Sequence, residues 1–149
     1  MNRLEFLSSI MTIIYPSFYS LYTNAGEELI FLDDGAKLPS LTDKNGTLIG
    51  DFNNEDKTQN EAFINHYHLF EKVGEKGRLD AIRVGTAVAE NLLSSLVCTY
   101  PDKKFIVYLE VNEKDSTIVR FHQLWDNEPL YLDLSQVRQE GLSIFEFRS

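Results

Sequence analysis

From Arg78 to Tyr100 the apolar positions recur with a helical period. Leu79, Ile82, Gly85, Thr86, Ala89, Leu92, Leu93, Leu96 and Val97 share one face, which predicts a single long helix with a wide, mostly apolar stripe. Asp80, Arg83, Glu90, Asn91, Ser94 and Cys98 fall on the opposite side, and Pro101 ends the run. Gly85 costs a helix interior about 1 kcal/mol relative to alanine, so its presence predicts a close approach between helix and sheet. Directly afterwards the period changes to two. Phe105, Val107, Leu109 and Val111 alternate with Ile106, Tyr108 and Glu110; Ile118, Arg120, His122 and Leu124 alternate with Val119, Phe121 and Gln123. Residues Phe105–Val111 and Thr117–Leu124 therefore form a β-hairpin around the polar loop Asn112–Ser116.

The flanks are built from shorter pieces. Leu7, Ile10, Met11 and Ile14 predict a short N-terminal helix capped by Asn2 and stopped by Pro16. Leu29–Leu32 is a short apolar strand ended by Asp33-Asp34-Gly35. Leu38–Leu41 and Thr47–Ile49 flank Asn45-Gly46, a tight-hairpin signal. Asp51–Asn60 is polar and predicts an exposed loop, and Phe63–Phe70 alternates as a strand, with Gly74 and Gly77 breaking the chain before the long helix. Beyond the Asp126-Asn127 turn, Leu130–Leu134 predicts a returning strand, Ser135 to Gly141 a single helical turn, and Ile144, Phe145 and Phe147 an edge strand. Most connections are of hairpin length. The expected fold is α+β over residues 1–149 as one domain, a mainly antiparallel sheet with the long helix packed across one face.

Charge narrows the partners. The net charge is −9, a field that repels phosphate backbones and attracts basic molecules, so a nucleic-acid partner is not expected. From Leu21 to Ala62 there are nine acids (Glu27, Glu28, Asp33, Asp34, Asp43, Asp51, Glu55, Asp56 and Glu61) against Lys37, Lys44 and Lys57, a local charge of −6. No uninterrupted apolar run is long enough for a membrane span, and the single cysteine, Cys98, forms no intrachain disulfide. A cytoplasmic location is expected.

The residue types that carry chemistry are sparse. His66 and His68 alternate on one strand, and with His122 from another they could complete a tri-histidine zinc face for a metal-dependent hydrolase. The alternative is three sheet histidines hydrogen-bonded to their neighbours. Cys98 lies near a helix C-terminus, where carbonyl ends disfavour a thiolate, and no catalytic-cysteine signature surrounds it. There is no Gly-x-Ser-x-Gly elbow, phosphate-binding loop or dinucleotide fingerprint. The expectation is a non-enzymatic chain with no metal or other cofactor, binding a basic protein through Asp33, Asp34, Asp51, Glu55 and Asp56. A rival epitope is Arg120 and His122 on the hairpin with Trp125 at its end, and a further alternative is a general adaptor or oligomeric binding module resting on the unpaired edge strand near Ile144–Phe147.

The stretch FIVYLEVNEKDSTIVRFHQLWDNEPLYLDL, with the helix before it, resembles the small acidic immunity proteins of bacterial polymorphic-toxin and contact-dependent growth inhibition systems. The resemblance spans residues 63–134 and lies in size, acidity, α+β order and an Arg-Phe-His strand followed by Leu-Tyr-Leu-Asp. It implies a cytoplasmic protein that neutralises a cognate toxin, often a nuclease, by tight binding over its active site. It assigns no residue roles.

Overall fold

A computed structural model describes residues 8, 10–13, 15–23, 25–33 and 56–149. The first two strands, β1 (Phe18–Tyr22) and β2 (Glu28–Leu32), form a separate antiparallel ribbon with Ser20 opposite Ile30. Thr23 shapes their turn, its Oγ1 accepting from the backbone N–H of Ala25 and Glu27. Then come α1 (Lys57–Ile64), β3 (His66–Phe70), α2 (Gly74–Thr99), β4 (Phe105–Asn112), β5 (Thr117–Gln123) and β6 (Leu142–Arg148). The main sheet has the order β3-β5-β4-β6 and is antiparallel throughout. The α+β expectation holds, with the sheet divided in two.

The hairpin follows its alternation: Phe105, Val107, Leu109 and Val111 are fully buried in the core beneath α2. The helix sits on them through small residues. Its buried line is Ala81, Gly85, Val88, Ala89, Leu92 and Leu96, so the contact face is rotated from the expected stripe, leaving Leu79 and Val97 exposed. A Cβ on Gly85 would stand 2.5 Å from Leu109 Cδ1, so the missing side chain is what lets the helix settle onto β4. By length and composition α2 could also cross a membrane, the sole such helix among the described residues.

Several expectations are corrected. Asp51–Asn60 is not one exposed loop, because α1 begins at Lys57. Phe63 and Ile64 belong to this helix, and the strand starts only at His66. Gly77 lies within the first turn of α2 instead of before it. Leu130–Leu134 is irregular, and Ser135 to Gly141 is a turn in which Asp133 Oδ1 accepts from Ser135 N and Oγ. The physical reason is that β4 and β5 each already have neighbours on both sides. The 130–134 segment instead covers the face opposite α2, with Tyr131 against Tyr108 and under the Arg120 guanidinium. Of the N-terminal helix, residues 10–13 are helical and Ile13 is buried. The Asn45-Gly46 hairpin lies outside the described residues.

Candidate partner-binding site

The most polar part of the interior lies where the two sheets meet. Helix α1 is short and polar because its inward face carries hydrogen-bonding groups: Thr58, Asn60, Glu61 and Asn65 are all buried. Asp56 caps its N-terminus, Oδ1 accepting from Gln59 N at 3.0 Å, and Glu128 Oε1 accepts from Thr58 N. Lys57 bridges Glu27 and Glu128 and lies over the Trp125 ring, 4.8 Å from its centroid.

At the other end of α1, two side chains replace a strand. Asn65 Oδ1 accepts from Leu32 N at 2.8 Å and its Nδ2 donates to Ile30 O at 2.9 Å, satisfying the edge of β2 that β1 leaves open. Asn65 O in turn accepts from Phe121 N on β5. Glu61 completes the join. Its Oε2 accepts from Ile30 N and Gln123 Nε2, and its Oε1 from Gln123 N and Trp125 Nε1. Four N–H groups therefore fill a fully buried carboxylate, and burial still pushes its pKa up to about 7 against their pull.

Arg120 and His122, expected on an accessible face, are inside, covered by the 130–134 segment. Arg120 Nε donates to Glu110 Oε2 at 3.1 Å and Nη1 to Ala62 O at 2.7 Å, placing a cation at the C-terminal end of α1. His122 Nδ1 donates to Gln123 O at 2.6 Å, and Nε2 accepts from Tyr131 N beside the Tyr108 hydroxyl. Burial lowers its pKa, so the neutral Nδ1–H form fits this arrangement. His66 and His68 share its sheet face, but among the described residues no three His, Cys, Asp or Glu side chains are grouped to hold a metal ion. Cys98 is exposed on α2, as its helical position implies.

Of the acids expected to meet a partner, Asp33 is exposed at the end of β2, Asp56 is engaged as the helix cap, and Asp34, Asp51 and Glu55 lie outside the described residues. Trp125 is half-buried, its indole tied to Glu61. Asp33 lines a cavity of about 550 Å³ with Tyr15, Ser17, His66, Tyr67 and His68, together with the apolar Ile13, Leu32 and Ile64. Sequence reasoning missed Glu61, Asn65 and Gln123 as the residues that join the sheets. One signal was present: Asp56 followed three residues later by Gln59 is a capping pattern that opens a helix there.

No protein-family model, curated protein or solved structure matches this chain.

Proposed function

We propose that this chain is a non-catalytic binding protein of the immunity type, acting in the cytoplasm by seating on a basic toxin domain and blocking its active site. The observation that carries this reading is the distribution of charge. Lys57, Arg78, Lys103 and Arg120 are spent on ion pairs with Glu27 and Glu128, Glu113, Glu28 and Glu110, within or beside the folded core. Those four cations face five carboxylates, Asp80 is offset by Arg83, and further carboxylates, including Glu71, Glu75, Glu90 and Asp102, are exposed and carry part of the overall −9 to the surface. A surface of that sign speeds encounter with a basic cleft and rejects acidic partners. The buried polar groups support the same reading, because Glu61, Asn65, Arg120, His122 and Gln123 are each occupied in holding elements together.

The test is neutralisation in cells. The C-terminal domain of the protein encoded immediately upstream is expressed alone and together with this chain. Growth arrest by that domain, relieved by co-expression, is the expected result. Arrest that persists in the presence of abundant folded chain would overturn the reading.

A further inference from the structure

We propose that the free edge of β6 pairs with β6 of a second copy of this chain, joining two four-stranded sheets into one across a two-fold axis. Where β6 lies along β4, Ser149 N donates to Phe105 O at one end and Glu113 N to Gly141 O at the other, with an unbroken register between them. The ladder bonds therefore fall on the odd-numbered residues of β6, and the backbone groups of Ile144, Glu146 and Arg148 point away from the sheet. Among the described residues no strand lies on that side. A seven-residue edge with no proline, lysine or bulge is a template for another strand. The opposite edge differs: β3 has five residues and a register break between His68 and Phe70.

The chemistry of the strand fits its own copy. β6 carries one acid and one base, and Glu146 Oε2 accepts from Arg148 Nε and Nη2, so a chain of net charge −9 presents a pairing strand without net charge. Such a strand gives a basic partner nothing to prefer and lets two copies meet there without like-charge repulsion between the strands. Antiparallel pairing centred on Phe145 overlaps all seven residues. It lets Ile144 of one copy and Glu146 of the other exchange backbone N–H and C=O groups, sets Phe145 against Phe145, and keeps the two Glu146 side chains from standing opposite each other. Phe145 and Phe147 lie opposite Leu109 and Val107, on the face beneath α2, and are only half-buried at the sheet edge. The second copy's rings complete their cover. Leu79, 58% exposed, and Ile82 add an apolar shoulder close by, next to Arg78, whose Nη2 donates to Ser143 Oγ. Edge bonds set the register, and these apolar groups supply burial that backbone pairing alone lacks.

The experiment is sedimentation equilibrium of the intact chain from low micromolar to millimolar concentration, with residue-resolved hydrogen exchange on the same samples. The mass is expected to rise from 17.2 kDa toward twice that value, and exchange at the Ile144 and Glu146 amides to slow as it does. Salt is expected to tighten the dimer by screening the −9 on each copy, whereas a complex with a basic toxin weakens. Ile144→Pro removes an outward N–H and leaves the bonds to β4 in place, so it is expected to weaken association about tenfold or more. Should that variant fail to fold, the concentration dependence of the two wild-type amides decides alone. A mass of 17.2 kDa at every concentration, or a dimer in which both amides exchange freely, would overturn the proposal. Amides protected only in a toxin complex would assign the edge to that partner and overturn the second copy as its occupant. The dimer stands independently of the immunity reading: a monomeric chain that neutralises its toxin removes the dimer and keeps that reading, and a dimer that neutralises no toxin does the reverse.

Discussion

Glu61 and Gln123 grip each other twice: the backbone N–H of Gln123 donates to Oε1 at 3.2 Å and its side-chain amide to Oε2 at 2.8 Å. The same amide nitrogen also donates to Glu28 O on β2, so this pair fastens the two-stranded ribbon to the main sheet. Because both Glu61 oxygens accept two N–H groups, replacing either by NH₂ sets donor against donor. Glu61→Gln is therefore expected to destabilise the fold by about 3 kcal/mol, from buried groups left unsatisfied. Urea unfolding at pH 8, above the Glu61 pKa of about 7, measures it, and an unchanged midpoint would mean the join is held elsewhere.

The same carboxylate gives stability a pH dependence of known sign. Its folded pKa of about 7 lies above the ordinary 4.5, so the folded state keeps a proton that the unfolded chain has lost between those values. The contribution of Glu61 is fully present below pH 4.5 and declines as pH rises toward 7, by about 3 kcal/mol over that window. His122 works in the other direction: its pKa is lowered by burial, so its contribution is complete above 6.5 and is lost as the pH falls below that value. Unfolding free energies of wild type, Glu61→Gln and His122→Gln across pH 4–8 separate the two slopes. The Glu61 variant is expected to lose the decline toward neutrality, and the His122 variant the acid-side loss.

Gly85→Ala sets helix propensity against packing. Alanine would favour the helix by about 1 kcal/mol, yet its Cβ would fall 2.5 Å from Cδ1 and 2.9 Å from Cδ2 of the fully buried Leu109. Overpacking of this kind costs about 1–3 kcal/mol, so packing wins and the thermal midpoint falls. Leu109→Val in the same chain removes both obstructing δ carbons and is expected to restore part of the loss. A more stable single variant would show that the helix can shift freely.

Arg120 closes the covered side of the sheet. Arg120→Met strands both the Glu110 carboxylate and the Ala62 carbonyl, an expected loss of about 3 kcal/mol. Adding Glu110→Leu replaces the pair by apolar groups and is expected to recover much of that loss. A double variant as unstable as the single one would place the value of Arg120 in its stacking on Tyr131.

How much of this was legible varies by element. The hairpin and the long helix announce themselves because one face of each carries a regular run of apolar side chains, even though β4 and β5 are buried on their other face as well. The rotation of α2 was hidden, since the stripe of large residues gives no sign that Ala81, Gly85 and Ala89 make the contact. Helix α1 was hidden for the opposite reason: its buried face bears Thr58, Asn60 and Glu61, so it lacks an apolar stripe. The period-two pattern from Phe63 to Phe70 then absorbed its last turn into a strand. Arg120 and His122 looked accessible because polar residues in an alternating strand usually face water, whereas here the 130–134 segment lies over them. Of the candidate site, the exposure of Asp33 followed from the sequence; that it lines one cavity with His66 and His68 needed the tertiary fold.

We propose that this chain acts by binding a basic toxin domain, with no chemistry of its own. Calorimetric titration of the purified chain with the C-terminal domain encoded immediately upstream, at low and at high salt, tests it most directly. We expect a one-to-one complex of nanomolar affinity that weakens as salt rises, with both partners recovered chemically unchanged. Absence of binding at micromolar concentrations, or covalent alteration of the toxin domain by this chain, would contradict it.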